Sequence, residues 1–218
     1  MINALHPSGP EDVVGVLLAG GLSRRFGGGD KCLNRLGGRT ILERVAARAA
    51  GQVGRLFLNA AGDPSRFPDL GLPVVADVIP GAQGPLAGVL TAMEWAGQNA
   101  PGARWVASFA TDAPFCPADM VARMLDAVQR DGADMAVATS NGRAHPVFAL
   151  WPVSARDDLR TAVVEQHIRR VREWTDRHAL SHVDFPPDPQ TGLDPFFNVN
   201  TPDDLNMADR LSVLHDPA

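Results

Sequence analysis

Val13-Val-Gly-Val-Leu-Leu-Ala-Gly-Gly-Leu-Ser-Arg-Arg-Phe-Gly-Gly-Gly-Asp-Lys31 runs from an apolar, β-branched stretch straight into a glycine-rich loop. Six continuous apolar or glycine residues (Val13–Leu18) read as a strand buried on both faces. The loop holds Gly20, Gly21 and Gly27–Gly29, one hydroxyl, two arginines and Lys31. Glycines let a ligand approach backbone N–H groups closely, and a run of such groups makes an anion-binding concavity. Arg24, Arg25 and Lys31 add positive charge beside it. The loop is chemically a cradle for a triphosphate, although a flexible glycine hairpin with solvated arginines fits the same letters. It is not a dinucleotide fingerprint, because G-x-G-x-x-G is absent, and not a P-loop, because Asp30-Lys31-Cys32 stands where Gly-Lys-Ser/Thr is needed.

Working outward, the pattern alternates. Thr40 with Glu43 has capping-box spacing and opens a helix that runs to Gly51. Strands are expected at Arg55–Asn59, Leu72–Ala76, Trp105–Ala110, Met135–Thr139 and Val147–Trp151. Helices are expected from Gly84-Pro85 to Gln98 and from Pro117 to Arg130. This alternation, expected to hold at least to residue 150, means a mostly parallel sheet with helices on both faces. Beyond it, Leu159–Arg177 looks helical, Ser181–Phe185 and Phe196–Val199 are candidate short strands, and Pro202–Leu214 is a closing helix. The organisation expected is an N-terminal extension, residues 1–12, and one domain, residues 13–214.

Composition bounds the function. The 218 residues carry 20 basic and 25 acidic side chains, a net charge of −5, and the sole lysine among those 20 is Lys31. Net negative charge argues against nucleic acid as a partner. No apolar run approaches the ~20 residues of a membrane span, and residues 1–12 lack a secretory pattern. Two cysteines, Cys32 and Cys116, make neither a disulfide framework nor a zinc site, so a cytoplasmic protein with free thiols is expected.

In such a sheet, ligands lie past the carboxyl ends of the strands. The groups there are Ala19-Gly20-Gly21, Asn59, Asp77 and Thr111-Asp112. Either Asp alone fits a turn or a cap; two together with a glycine loop point to metal and phosphate. No Ser–His–Asp or Cys–His set is evident. His178 and His182 lie one helical turn apart without a third ligand, and His145 before Pro146 fits either a strand start or the wall of a pocket.

Leu18–Lys31 resembles L-A-G-G-x-S-x-R-[MF]-G-x-D-K, a signature of nucleotidyltransferases, and most closely that of the molybdenum cofactor guanylyltransferases. Three further segments resemble that family in order: Asp77 followed by Gly84-Pro85-Leu86-Ala87-Gly88, then Phe109-Ala-Thr-Asp112-Ala-Pro-Phe115, then Phe197-Asn-Val-Asn-Thr-Pro202. Phe26 replaces the usual methionine, one extra glycine widens the loop, and Thr111 stands where a cysteine is common. The resemblance implies a Rossmann-like nucleotidyltransferase fold and transfer of GMP from GTP to molybdopterin, with release of pyrophosphate. It implies Mg²⁺ on Asp112, with Lys31, Asp112 and Arg25 as catalytic groups. It places GTP against Leu18, Ala19, Gly20, Gly21, Lys31, Asn59, Asp77, Gly84, Gly88 and Asp112. Asn198 and Asn200 fall on the pterin side, although a turn and N-cap would account for them equally. Molybdoenzymes or their chaperones would receive the product. The alternatives are a related transferase using CTP or a sugar or other phosphate acceptor, and a non-catalytic nucleotide sensor.

Overall fold

The computed structural model describes residues 9–19, 30–81 and 84–215. Its elements in chain order are β1 (Val13–Leu18), β2 (Arg35–Leu36), β3 (Arg39–Thr40), α1 (Ile41–Ala50), β4 (Arg55–Asn59), β5 (Val74–Val75), α2 (Pro85–Asn99), β6 (Trp105–Ala110), α3 (Met120–Asp131), β7 (Met135–Ser140), β8 (Arg143–Pro152), α4 (Arg156–Val164), α5 (Val171–Thr175), β9 (Leu180–Asp184) and α6 (Pro202–His215). The seven-stranded sheet has the order β5-β4-β1-β6-β8-β7-β9, and β2-β3 form a separate hairpin. All pairings in the large sheet are parallel except those of β8, which runs against both β6 and β7.

The strand residues alternate between two apolar layers. Val13 and Leu17 join the layer under α1, α3 and α6, whereas Val14 and Val16 join the layer under α2, α4 and α5. That is the expected α/β architecture with both faces covered. Burial of α2 residues such as Leu86, Leu90 and Met93 stabilises one layer by roughly 1.5–3 kcal/mol each. Helix α1 starts as its capping box requires: the Glu43 N–H donates to Thr40 Oγ1 at 3.1 Å, and the Glu43 carboxylate accepts from the Thr40 N–H. No helix among the described residues is long and apolar enough to cross a membrane.

Three expectations change. Alternation of strand and helix ends at β7, because β7 and β8 form a hairpin. Asn141 (φ 49°) and Gly142 (φ 72°) make its two-residue turn, the Asn-Gly pairing that matches strand twist. The expected helix 159–177 is two helices, broken where His167 takes φ 57° and the Ile168 N–H returns to the Ala162 carbonyl. Phe196–Val199 forms no strand; its backbone is tied by a turn on Asp194 and by a bond from the Val199 N–H to the Asp112 carbonyl at 2.8 Å.

Candidate active site

The strand order reverses between β1 and β6, and there a cleft of ≈ 1340 Å³ opens at the carboxyl ends. Register sets its floor: Leu18 pairs with Asn59 on one side and with Ala110 on the other. The chain then leaves the sheet at Ala19, Ala60 and Thr111. The Ala19 N–H donates to the Asn59 carbonyl at 3.0 Å, and Thr111 Oγ1 donates to the Leu18 carbonyl at 3.2 Å. The strand ends are thereby fixed to one another before any ligand binds.

Asp112 stands at the reversal point. Burial pushes its carboxyl above the ordinary carboxylate range, opposed by the Lys31 ammonium and by its own backbone N–H. Among the described residues no three His, Cys, Asp or Glu side chains gather into a metal cage. A hard divalent cation held by one carboxylate and the oxygens of a phosphate needs no such cage, so the donor set fits Mg²⁺ or Mn²⁺.

Lys31 reaches the same place from the far side of the glycine loop. Its Nζ donates to Asn200 Oδ1 at 2.7 Å, a contact across 169 positions. Asp30 does not pair with it: the Asp30 carboxylate is taken by Arg66 Nε at 2.6 Å. Lys31 is thus kept for the cleft by giving its neighbour a different cation. Asn200 is itself held, because the Asp204 carboxylate accepts from the Asn200 and Thr201 N–H groups at 2.9 and 2.8 Å.

On the β4 side, Asn59 Nδ2 donates to Asp77 Oδ1 at 3.0 Å and to the Val75 carbonyl at 3.1 Å, and both side chains line the cleft. Gly88 lets α2 approach this pair. A Cβ there would lie 2.5 Å from both Asn59 Oδ1 and Leu18 Cδ2. Gly84 (φ 95°) begins the helix with Pro85, and both line the cleft. Asn198 is exposed on the opposite wall.

Of the expected site residues, Leu18, Ala19, Lys31, Asn59, Asp77, Gly84, Gly88, Asp112, Asn198 and Asn200 all line this one cleft. Gly20, Gly21, Arg24 and Arg25 lie outside the described residues. A model of the MobA-like NTP transferase domain matches residues 15–182. The molybdenum cofactor guanylyltransferase of Nitrobacter hamburgensis is 50% identical over 200 residues, covering 92% of this chain and 94% of its own.

The chain belongs to the MobA-like NTP transferases.

Its fold matches those of solved proteins as well. Molybdopterin-guanine dinucleotide biosynthesis protein A from Archaeoglobus fulgidus superposes with a TM-score of 0.70 at 23% identity, over 93% of this chain and 99% of that one. The Mycobacterium tuberculosis protein Rv0371C, in complex with manganese, superposes with 0.64 at 17% identity, over 91% and 98%.

Sequence reasoning overlooked part of this MobA-like cleft. Arg66, Arg143, Asp194 and Phe196 line it without having been singled out. The missed signal was Asn141-Gly142. Read as a hairpin turn, it returns β8 along β7 and sets Ala149–Pro152 antiparallel beside Trp105–Ser108 of β6, so that the start of β8 lies toward the carboxyl end of β6. His178, by contrast, sits outside the cleft, where its Nε2 and Trp174 Nε1 share the Asp158 carboxylate. Cys32 and Cys116 are both buried, and burial pushes each thiol up to about 12.

Proposed function

We propose that this NTP transferase moves GMP from GTP to molybdopterin, forming molybdopterin guanine dinucleotide and releasing pyrophosphate. The observation that carries the reading is the meeting of Lys31, Asp112 and Asn200 at the strand reversal, in a chain half identical to a named molybdenum cofactor guanylyltransferase. The molybdopterin phosphate attacks the α-phosphorus of GTP, a new P–O bond forms, and the α–β bridging bond breaks. The attacker is already an anion, so no general base is required. What the protein supplies is alignment and positive charge.

Asp112 would hold Mg²⁺, which when bound neutralises charge on the triphosphate. Lys31 would stabilise the charge that builds on the departing pyrophosphate. Asp77, steadied by Asn59, would take the nucleoside, and Leu18 and Ala19 would pass it by backbone contact. Gly84 and Gly88 would let the nucleotide lie close to α2. Gly20, Gly21 and Arg25 enter on their sequence motif, as the rest of the triphosphate cradle. Asn198 would face the pterin; Asn200 would serve through Lys31. The finished dinucleotide would pass to a molybdoenzyme or its chaperone. Two unpaired thiols suit a reducing cytoplasm.

The test is product formation. With Mg²⁺, GTP and molybdopterin, pyrophosphate and the guanine dinucleotide accumulate in equal amounts. Transfer from CTP with none from GTP would overturn the assignment.

A further inference from the structure

The side of the cleft built by β8 carries a histidine whose surroundings exceed what packing requires. His145 Nε2 lies 2.7 Å from Ser140 Oγ, and that hydroxyl lies 2.9 and 2.8 Å from the two oxygens of Asp194. A hydroxyl has one proton, and a carboxylate can only accept. Ser140 therefore donates to Asp194, and His145 must donate from Nε2 to Ser140. The tautomer is fixed, and Nδ1 carries the lone pair. Ser140 is fully buried, and Asp194 is anchored by the Phe196 N–H at 2.8 Å. The imidazole ring packs on Phe196 at 4.7 Å, which in turn packs on Phe148. Ring position and ring rotation are both locked.

Nδ1 has no hydrogen-bond partner among the described residues, and it is not sealed from solvent, since no buried side-chain nitrogen or oxygen there lacks a partner. His145 lines the cleft, and its Nε2 is turned toward the buried Ser140. Pro146 lacks an N–H and starts a bow in β8: Val137 pairs with Ala149 while Ala138 pairs with His145, leaving three residues between. Ser108 secures the bow by donating to the Val147 carbonyl at 2.6 Å while accepting from Trp151 Nε1 at 2.9 Å. The bow is thus built, with its buried polar groups satisfied.

Sheet order says which substrate this edge meets. Asn59 ends β4, Asp112 follows β6, and His145 begins the far side on β8. With neighbouring strands about 4.8 Å apart, β4 and β8 are separated by roughly 14 Å. A nucleoside at Asp77 and a transfer centre at Asp112 leave the β8 side for the acceptor.

We propose that His145 is a positioning residue for the acceptor: its Nδ1 accepts a hydrogen bond from an N–H of the acceptor's fused-ring heterocycle, and the Ser140–Asp194 pair selects the tautomer and fixes the ring orientation that this requires. This rests on molybdopterin being the acceptor. Burial, partly offset by Asp194 and reinforced by Arg143, lowers the proton affinity of the ring and keeps it an acceptor at neutral pH.

Three variants separate this from a packing role. In His145→Asn the amide oxygen takes the place of Nδ1; in His145→Gln the amide takes the place of Nε2; His145→Phe keeps only the ring. The Gln and Phe variants raise KM for molybdopterin about tenfold, the scale of one lost hydrogen bond, and leave KM for GTP unchanged. The Asn variant recovers most of that loss. Equal molybdopterin KM in all four proteins, a matching rise in KM for GTP, or an Asn variant as poor as Gln overturns the proposal. Calorimetric titration of molybdopterin into each full-length protein, without GTP, keeps the two readings apart. Wild type that binds molybdopterin through His145 but transfers no GMP overturns the reaction; affinities that ignore the variants overturn the residue.

Discussion

Lys31 and Asn200 are joined by a 2.7 Å hydrogen bond that ties the exit of the glycine loop to the entrance of the last helix. The ammonium is a compact point charge on a flexible stem, and here one of its three donors is committed to Asn200. The other two have no partner among the described residues and can serve phosphate oxygens. Lys31→Arg keeps the charge, but the planar fork cannot fit between Asn200 and a triphosphate. We expect kcat to fall about 100-fold, within the range for losing one preorganised donor, with GTP binding changed far less. Asn200→Ala frees the ammonium and lowers kcat about tenfold. The two losses are less than additive when combined, because both act through one group. Steady-state kinetics of the single and double variants check this.

Asp112 trades stability for function. Its carboxyl is raised above 3.8 in the folded state, mainly by burial. A group raised in this way favours the fold below its unfolded value, and that support is lost as pH rises through its folded value. At neutral pH the ionised group is therefore a burden on the metal-free protein. Asp112→Asn should melt at a higher temperature than wild type at pH 7 without added metal, by about 2–4 °C for each kcal/mol relieved. Adding Mg²⁺ with GTP should raise the melting temperature of wild type and leave the variant unmoved. Turnover in the variant should drop at least about 100-fold.

Gly88→Ala tests how closely α2 approaches the strand ends. The new methyl would sit 2.5 Å from Asn59 Oδ1 and Leu18 Cδ2, and both belong to the fixed floor of the cleft. Overpacking of this kind costs about 1–3 kcal/mol. The unfolding free energy from denaturant titration should fall by that amount, and GTP affinity should weaken with it, because relieving the clash displaces Asn59 from Asp77.

The thiols should be silent. Cys32 and Cys116 are buried with thiols near 12, Cys32 through burial and then the charge of Asp30, Cys116 through burial. Thiolate is the reactive form, so at pH 8 neither is attacked by a thiol reagent in the native protein. Two equivalents should label in denaturant, and none should label without it over the same interval.

The alternating half of the fold was legible because its signals are local. Apolar runs such as Val13–Leu18 and Trp105–Ala110, and the Thr40/Glu43 cap, state their conformation within a few residues. The β8 hairpin was legible in principle from Asn141-Gly142, but its consequence was not. Which strand β8 joins, and in which direction, depends on pairing with β6, whose residues lie about forty positions earlier. Likewise, one helix was expected across Leu159–Arg177 because its apolar spacing continues, yet the turn at His167 lets Val171 and Trp174 reach the same layer as Leu159.

The amino-acid sequence by itself determined the strand–helix rhythm and the chemical types at the strand ends: a lone lysine after a glycine loop, two aspartates, and the asparagines of the last loop. Periodicity and residue chemistry are properties of neighbours, so they can be read along the chain. Only the tertiary structure decided which of these groups meet. It gave Asp30 to Arg66 and Lys31 to Asn200, set Asn59 on Asp77, and held His145 at the cleft wall by way of Ser140 and Asp194. The pairings of Asn59 with Asp77, Asp30 with Arg66 and Lys31 with Asn200 span 18, 36 and 169 positions, and they follow from strand order and register, which no local pattern encodes.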